Sequence, residues 1–177
     1  MVLTPGEEYQ FIRQLTPSDL EQLQQWDHDP EITALNGKKF QKDHDSEQLW
    51  WEDLLTSRVR IGFAIIADWR LIGDVELEHI SWRSHHAELR ISIGDKSYWN
   101  RGIGTLAVGE VLDIAYYQLG LRRIYLRVNT DNHRAIRAYE KAGFKKVAKL
   151  VANGRLKGNT DLLLMECLFD QYVALKA

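Results

Sequence analysis

Two glycines at the start of an apolar helix, set between two strands, constrain the fold of this 177-residue chain more than any other feature. Ala87-Glu-Leu-Arg-Ile-Ser-Ile93 alternates strictly and predicts a strand with one apolar face. Tyr98-Trp-Asn-Arg-Gly-Ile-Gly-Thr105 follows, then a helix from Gly102 to Leu119 ended by Gly120, then a strand over Arg123–Val128. Strand, helix and strand in that order make a crossover between parallel neighbours of one sheet. Gly102 and Gly104 sit where the helix begins, and such a site offers unpaired backbone N–H groups and a positive dipole end that hold a phosphate. Glycine also lets the backbone approach an anion closely. A further helix, Asn132 to Ala142, is ended by Gly143 and carries Tyr139 two turns beyond Asn132 on the same face.

The flanking sequence fills out the sheet. Tyr9 to Leu15 reads as a strand, closed by the helix start Thr16-Pro17-Ser18-Asp19, after which Leu20, Leu23 and Trp26 recur at helical spacing. Asp27 to Asp45 is polar and irregular, and a second helix runs from there through Arg58. Ile61–Ala67 and Leu71–Ile80 are strands joined by a tight turn at Asp68-Trp69-Arg70. Two final strands, about Lys145–Val151 and Asp161–Leu168, flank a loop containing Asn153-Gly154. The pattern predicts one α/β domain over residues 1–177: a mixed sheet of about seven strands flanked by about four helices, antiparallel outside its single crossover.

Composition excludes several classes of function. A net charge of −2 leaves no basic footprint for nucleic acid. No run approaches the ~18 apolar residues of a membrane span, and the N-terminus lacks a signal peptide's basic and apolar regions, so the expected location is the cytoplasm. The one cysteine, Cys167, lies in an apolar run and reads as a buried strand residue. Asp27-His28-Asp29 and Asp43-His44-Asp45 read as solvated loops, so no metal is expected. Of the adjacent pair Trp50 and Trp51, one belongs in the core. The other is free to wall a pocket or an interface, and a homodimer is compatible with the sequence.

The segments Tyr98-Trp99-Asn100-Arg101-Gly102-Ile103-Gly104-Thr105 and Asn132-x-x-Ala135-Ile136-x-x-Tyr139-x-x-x-Gly143-Phe144 resemble the GNAT superfamily of N-acetyltransferases, in particular the branch of ribosomal-protein N-terminal and spermidine acetyltransferases. The resemblance is good over about the last 80 residues and looser before. The family's phosphate-loop pattern is Gln/Arg-x-x-Gly-x-Gly/Ala; Gly102 and Gly104 match it, while Trp99 stands unmatched at its first position. The resemblance implies transfer of an acetyl group from acetyl-CoA to a primary amine of a small molecule or peptide, without a covalent enzyme intermediate. It implies a diphosphate held by Arg101, Gly102, Ile103, Gly104 and Thr105. It also implies a pantetheine arm paired with the backbone of Ile91, Ser92 and Ile93, with further contacts from Asn132 and Ala135. A sensor or scaffold of the same fold that binds coenzyme A without turnover is the alternative.

Gly102-Ile-Gly104-Thr-Leu-Ala107 also fits the dinucleotide-binding fingerprint, but the loop before it is too long and no acid ends the next strand. Acyl transfer needs a base for the amine and a proton donor for the departing thiolate. Tyr139 is the natural donor. Glu76, Glu78 and Glu88 are candidate bases, and Glu88 leads because its strand precedes the phosphate loop. Among acceptors, a polyamine would favour the acids Asp27, Asp29, Glu31, Asp43 and Asp45, though Lys38, Lys39 and Lys42 lie among them; a protein N-terminus, an aminoglycoside or an amino acid fits equally well.

Overall fold

The computed structural model describes residues 9–36, 44–151 and 161–177. Asp43, Lys38, Lys39, Lys42 and the Asn153-Gly154 turn lie outside the described residues, as do the side chains of His44 and Asp45. Seven strands form one sheet in the order β1-β2-β3-β4-β5-β7-β6, with β1 Ile12–Gln14, β2 Ile61–Ala67, β3 Arg70–Ser81, β4 His86–Ile93, β5 Arg123–Asn129, β6 Lys145–Leu150 and β7 Leu162–Leu168. Every neighbouring pair is antiparallel except β4 and β5. That parallel pair is joined through α4, Ile103–Asp113, which continues through Gln118 with a wider turn in which Leu119 N–H donates to Ile114 O at 3.0 Å.

Both faces of the sheet are covered, by different means. On one side α4 sets Ala107, Val108, Val111 and Leu112 against Val75, Leu77, Leu89, Ile124 and Leu126, and all are buried. The strand alternation supplies these residues: Ile124, Leu126 and Val128 of β5 point inward while Arg123, Tyr125, Arg127 and Asn129 lie on the opposite face. Cys167 is buried in this core, and Tyr116 donates to its backbone carbonyl at 2.7 Å. On the other side α1, Leu20–Asp27, and α3, His44–Thr56, pack Leu23 and Trp50 against Leu15 and Ala64. Trp50 is thus the core member of the tryptophan pair, and Trp51 is half-buried.

The structure adds helices that the pattern did not suggest, giving six rather than about four among the described residues. Within the stretch expected to be irregular, α2 spans Pro30–Asn36. Asp29 caps it, accepting from the N–H groups of Glu31 (2.9 Å) and Ile32 (3.3 Å), with Pro30 at the first helical position. After β7, α6 spans Phe169–Lys176 and is pinned by Tyr172, whose hydroxyl donates to Gly109 O at 3.1 Å, and by Lys176, which meets Asp113 at 2.6 Å. The first strand is shorter than expected. α5, His133–Lys141, packs against α4, and Gly143 follows it at φ 104°, a conformation that favours glycine.

Candidate active site

Where β4 and β5 part, the sheet opens. Their pairing ends at Glu88 opposite Tyr125, so the strands diverge beyond that point. Ladder phase decides which backbone groups face the gap. Gly94 N–H donates to Ile72 O, and Arg123 N–H to His85 O. The even residues of β4 therefore turn their backbone to β3, and the odd ones, including Ile91 and Ile93, turn it to the opening. Ser92 contributes no edge group to the opening. Its side chain lies on the far face, where its hydroxyl accepts from Asn36 Nδ2 at 2.9 Å.

The glycine-rich loop folds as a cradle. Asn100 (φ 62°) and Gly102 (φ 80°) both take the left-handed conformation, and Gly102 caps α4. The first helical bonds are Thr105 N–H to Gly102 O (3.0 Å) and Leu106 N–H to Gly102 O (3.2 Å), and among the described residues none of the amides from Asn100 to Gly104 is bonded within the backbone. Five successive unpaired N–H groups at a helix start are an anion site by geometry and by dipole. The loop is held from outside: the Tyr98 hydroxyl donates to Asp68 at 2.9 Å, at the tip of the β2–β3 turn. Asp68 and Trp69 there are both left-handed, as a two-residue hairpin turn requires.

A cleft of about 230 Å³ joins the cradle to the opening. It is lined by Ile91, Ile93, Gly102, Gly104, Thr105, Asn132, Ala135 and Tyr139, which the sequence had singled out. Asn132 is buried and caps α5 by accepting from Ala135 N–H at 3.1 Å, so its side-chain oxygen is already engaged. Tyr139 rests on Phe144, ring centroids 5.9 Å apart, and among the described residues its hydroxyl makes no hydrogen bond. Burial pushes its pKa up to about 12. The phenol therefore keeps its proton at neutral pH.

Four of the singled-out residues do not line the cleft. Ile103 and Arg101 sit beside it, Arg101 exposed with its guanidinium 5.1 Å from the Tyr98 ring. Ser92 and Glu88 lie on the opposite face of the sheet, because strand alternation separates them from Ile91 and Ile93. Both oxygens of Glu88 are taken, by Arg127 Nε (2.8 Å) and Nη2 (2.9 Å) and by His79 Nδ1 (3.3 Å). A carboxylate so engaged ties β4 to β5 where the strands part. Around it on the same face stand buried Asp74 and Glu76, with Arg60 Nε 3.5 Å from Glu76. Asp29 and Glu31, expected to attract a cationic acceptor, are both bound by Lys96, at 2.8 and 2.7 Å.

The cleft also holds Trp99, at the unmatched position of the loop pattern, and residues to which the sequence reading assigned no role: Leu35 and Asn36 of α2, and Arg134, Arg137 and Lys141. The last three had a legible signal, since basic residues at i, i+3 and i+7 share one helix face. Leu35 and Asn36 had none, because α2 reaches the cleft only by folding across the sheet. Its C-terminal carbonyls are held there by Asn129 Nδ2 to Ala34 O (3.2 Å) and Arg90 Nη2 to Asn36 O (3.3 Å).

Among the described residues no group of three His, Cys, Asp or Glu side chains converges to hold a metal, and no helix is long and apolar enough to cross a membrane. A family model described as the acetyltransferase (GNAT) domain matches residues 11–145, and the chain belongs to this family. It is 31% identical over 113 residues to the spermidine N(1)-acetyltransferase of Escherichia coli K12, a match covering 63% of this chain and 60% of that protein. The chain thus spans about 60% of the length of that curated relative. It is 28% identical over 136 residues to the L-amino acid N-acetyltransferase AaaT of the same organism, covering 76% of this chain and 82% of that protein. The crystal structure of spermidine N-acetyltransferase from Vibrio cholerae in complex with CoA and spermine has a TM-score of 0.81 at 24% identity, over 92% of this chain and 96% of that one, and shares the fold.

Proposed function

We propose that the chain acts as one acetyl-CoA-dependent N-acetyltransferase unit whose acceptor is a primary amine of a polyamine. One observation carries the reading: the amide cradle at Asn100, Gly102 and Gly104, the open β4 edge at Ile91 and Ile93 and the protonated Tyr139 meet in a single cleft. The amides receive the diphosphate of acetyl-CoA, and the odd residues of β4 pair with its pantetheine amides as a strand pairs with an added strand. The amine enters from the α2 side of the opening. The ammonium first gives a proton to solvent, its lone pair then attacks the thioester carbonyl, the C–S bond breaks and the departing sulfur takes the Tyr139 proton; the new amide loses a proton to solvent, and solvent restores the phenol. The buried acids Asp74 and Glu76 lie on the sheet face that Ser92 shares with Asn36 of α2, and spermidine is the acceptor named for relatives of this chain.

The test has two arms. Coenzyme A and acetyl-CoA raise the melting temperature, because a ligand bound only by the folded state stabilises it, while NAD, FAD and ATP at equal concentration do much less. Thiol release from acetyl-CoA is then followed across spermidine, spermine, amino acids, aminoglycosides and peptide N-termini, with polyamines turning over fastest. A larger thermal shift from a dinucleotide overturns the donor assignment; faster turnover of an amino acid overturns the acceptor.

A further inference from the structure

Trp99 stands at the one position of the phosphate-loop pattern that this chain leaves unmatched, and its side chain has a definite job. Its indole N–H donates to the carbonyl oxygen of Ile93 at 2.8 Å, at the end of β4. On the indole face lies the guanidinium of Arg134, from the first turn of α5, 3.8 Å from the ring centroid. The stack therefore spans the opening from the end of β4 to the start of α5. Arg134 is half-buried and lines the same cleft as Asn100, Gly102 and Gly104. Among the described residues no carboxylate lies within ion-pair distance of it.

The electrostatics single out this arginine. Burial works against its charge, and the carboxylate that favours it, Glu31, is already bound by Lys96 at 2.7 Å. A partly desolvated cation without a counter-ion, beside an amide cradle, lacks the negative charge that a ligand would bring. Arg101, the arginine inside the motif, is exposed, rests near Tyr98 and does not line the cleft. Arg137 lines the cleft but is exposed, so water screens it more.

We propose that Arg134, held in place by stacking on Trp99, is the residue that selects a phosphate-bearing acyl donor, with Trp99 as its positioning residue. The planar guanidinium presents parallel N–H donors to phosphate oxygens while its face stays on the indole. The indole hydrogen bond to Ile93 fixes the ring so that the guanidinium keeps one orientation. The proposal rests on the acyl-CoA reading of the cleft and sharpens it.

The test compares coenzyme A with its phosphate-free counterpart. Calorimetry measures coenzyme A affinity, and steady-state kinetics compare acetyl-CoA with S-acetylpantetheine. Arg134→Gln is expected to weaken coenzyme A binding about 10- to 100-fold, the range for a hydrogen bond to a charged group, and to leave the KM for S-acetylpantetheine unchanged. Arg101→Ala loses less. Arg134→Lys recovers part of the preference, because an ammonium is a point charge without the stacking plane. Trp99→Leu lowers the preference in the same direction, and Trp99→Phe, which keeps an aromatic face, recovers most of it. Equal losses with both donors, or full coenzyme A affinity in Arg134→Gln, overturns the proposal; the lysine and phenylalanine variants carry the same comparison should the larger changes impair folding. Wild-type protein that binds no coenzyme A refutes the underlying reading instead, so the two failures are distinct.

Discussion

Replacing Tyr139 with phenylalanine removes one oxygen atom from the cleft and tests the proposed chemistry most directly. The Tyr139 hydroxyl makes no hydrogen bond among the described residues, so its loss orphans no partner, and the ring keeps its contact with Phe144 at 5.9 Å. Stability should therefore change by less than about 0.5 kcal/mol. A lost general acid slows a reaction by roughly 100- to 10,000-fold. The structure places this case near the lower end. The phenol's pKa is pushed up to about 12 by burial, whereas a thiol titrates near ~8.5 in water. Proton transfer to sulfur is thus uphill by these values, and burial near the cleft, which disfavours the thiolate as well, narrows the gap. We expect kcat to fall about 100-fold, equivalent to ~2.7 kcal/mol of transition-state stabilisation, with KM for acetyl-CoA unchanged. The assay is thiol release with saturating polyamine, with a rapid-mixing trace to show that chemistry limits the rate. Because the phenol titrates near 12, the wild-type profile should show no loss from this group up to pH 10. Full kcat in the phenylalanine variant, with chemistry rate-limiting, would remove Tyr139 from the mechanism and leave the binding argument standing.

Gly104→Ala should raise the melting temperature and the KM for acetyl-CoA together. Its Cβ would lie 3.7 Å from Ile93 and 3.9 Å from Ile91, ordinary contacts, and alanine gains about 1 kcal/mol in a helix, yet the methyl group takes space in the cleft; an unchanged KM would mean the donor does not approach there. Glu88→Gln should lower stability by about 1–2 kcal/mol, moderated because Arg127 is half-exposed and can turn to water. The shape of the pH–rate profile should be kept; a pH-dependent loss of rate would restore Glu88 as the base. Stability should hold up to about pH 10 and then fall. The pKa values of Tyr139 and Tyr172 are raised to about 12 and that of Tyr116 is raised as well, all three chiefly by burial, so the unfolded chain releases these protons first and loses the folded state's advantage only between the two values. Thermal melts from pH 7 to 11.5 check this, and a flat profile through pH 11 would contradict the burial of these rings.

The sequence alone determined the elements whose signals are local. Alternation over Ala87–Ile93, glycines at Gly102, Gly104 and Gly143, and the helix cap at Asn132 each act within a few residues, and from them the crossover, the cradle and the facing of Tyr139 were all legible. The cap of α2 was equally local, with Asp29 ahead of Pro30, but it was hidden in a polar stretch that reads as irregular. Tertiary structure decided what depends on distant pairing. The face on which Glu88 lies follows from strand parity, yet its capture by Arg127, 39 residues on, needs β4 and β5 side by side. The acids Asp29 and Glu31 were legible as charges, but Lys96, more than 60 residues away, binds them. Arg134 and Trp99 are separated in the sequence by a whole helix and strand, and only the crossover brings the guanidinium onto the indole. Local preference is written in the periodicity of neighbouring residues; the partner of a charge is chosen by the sheet that brings distant strands together.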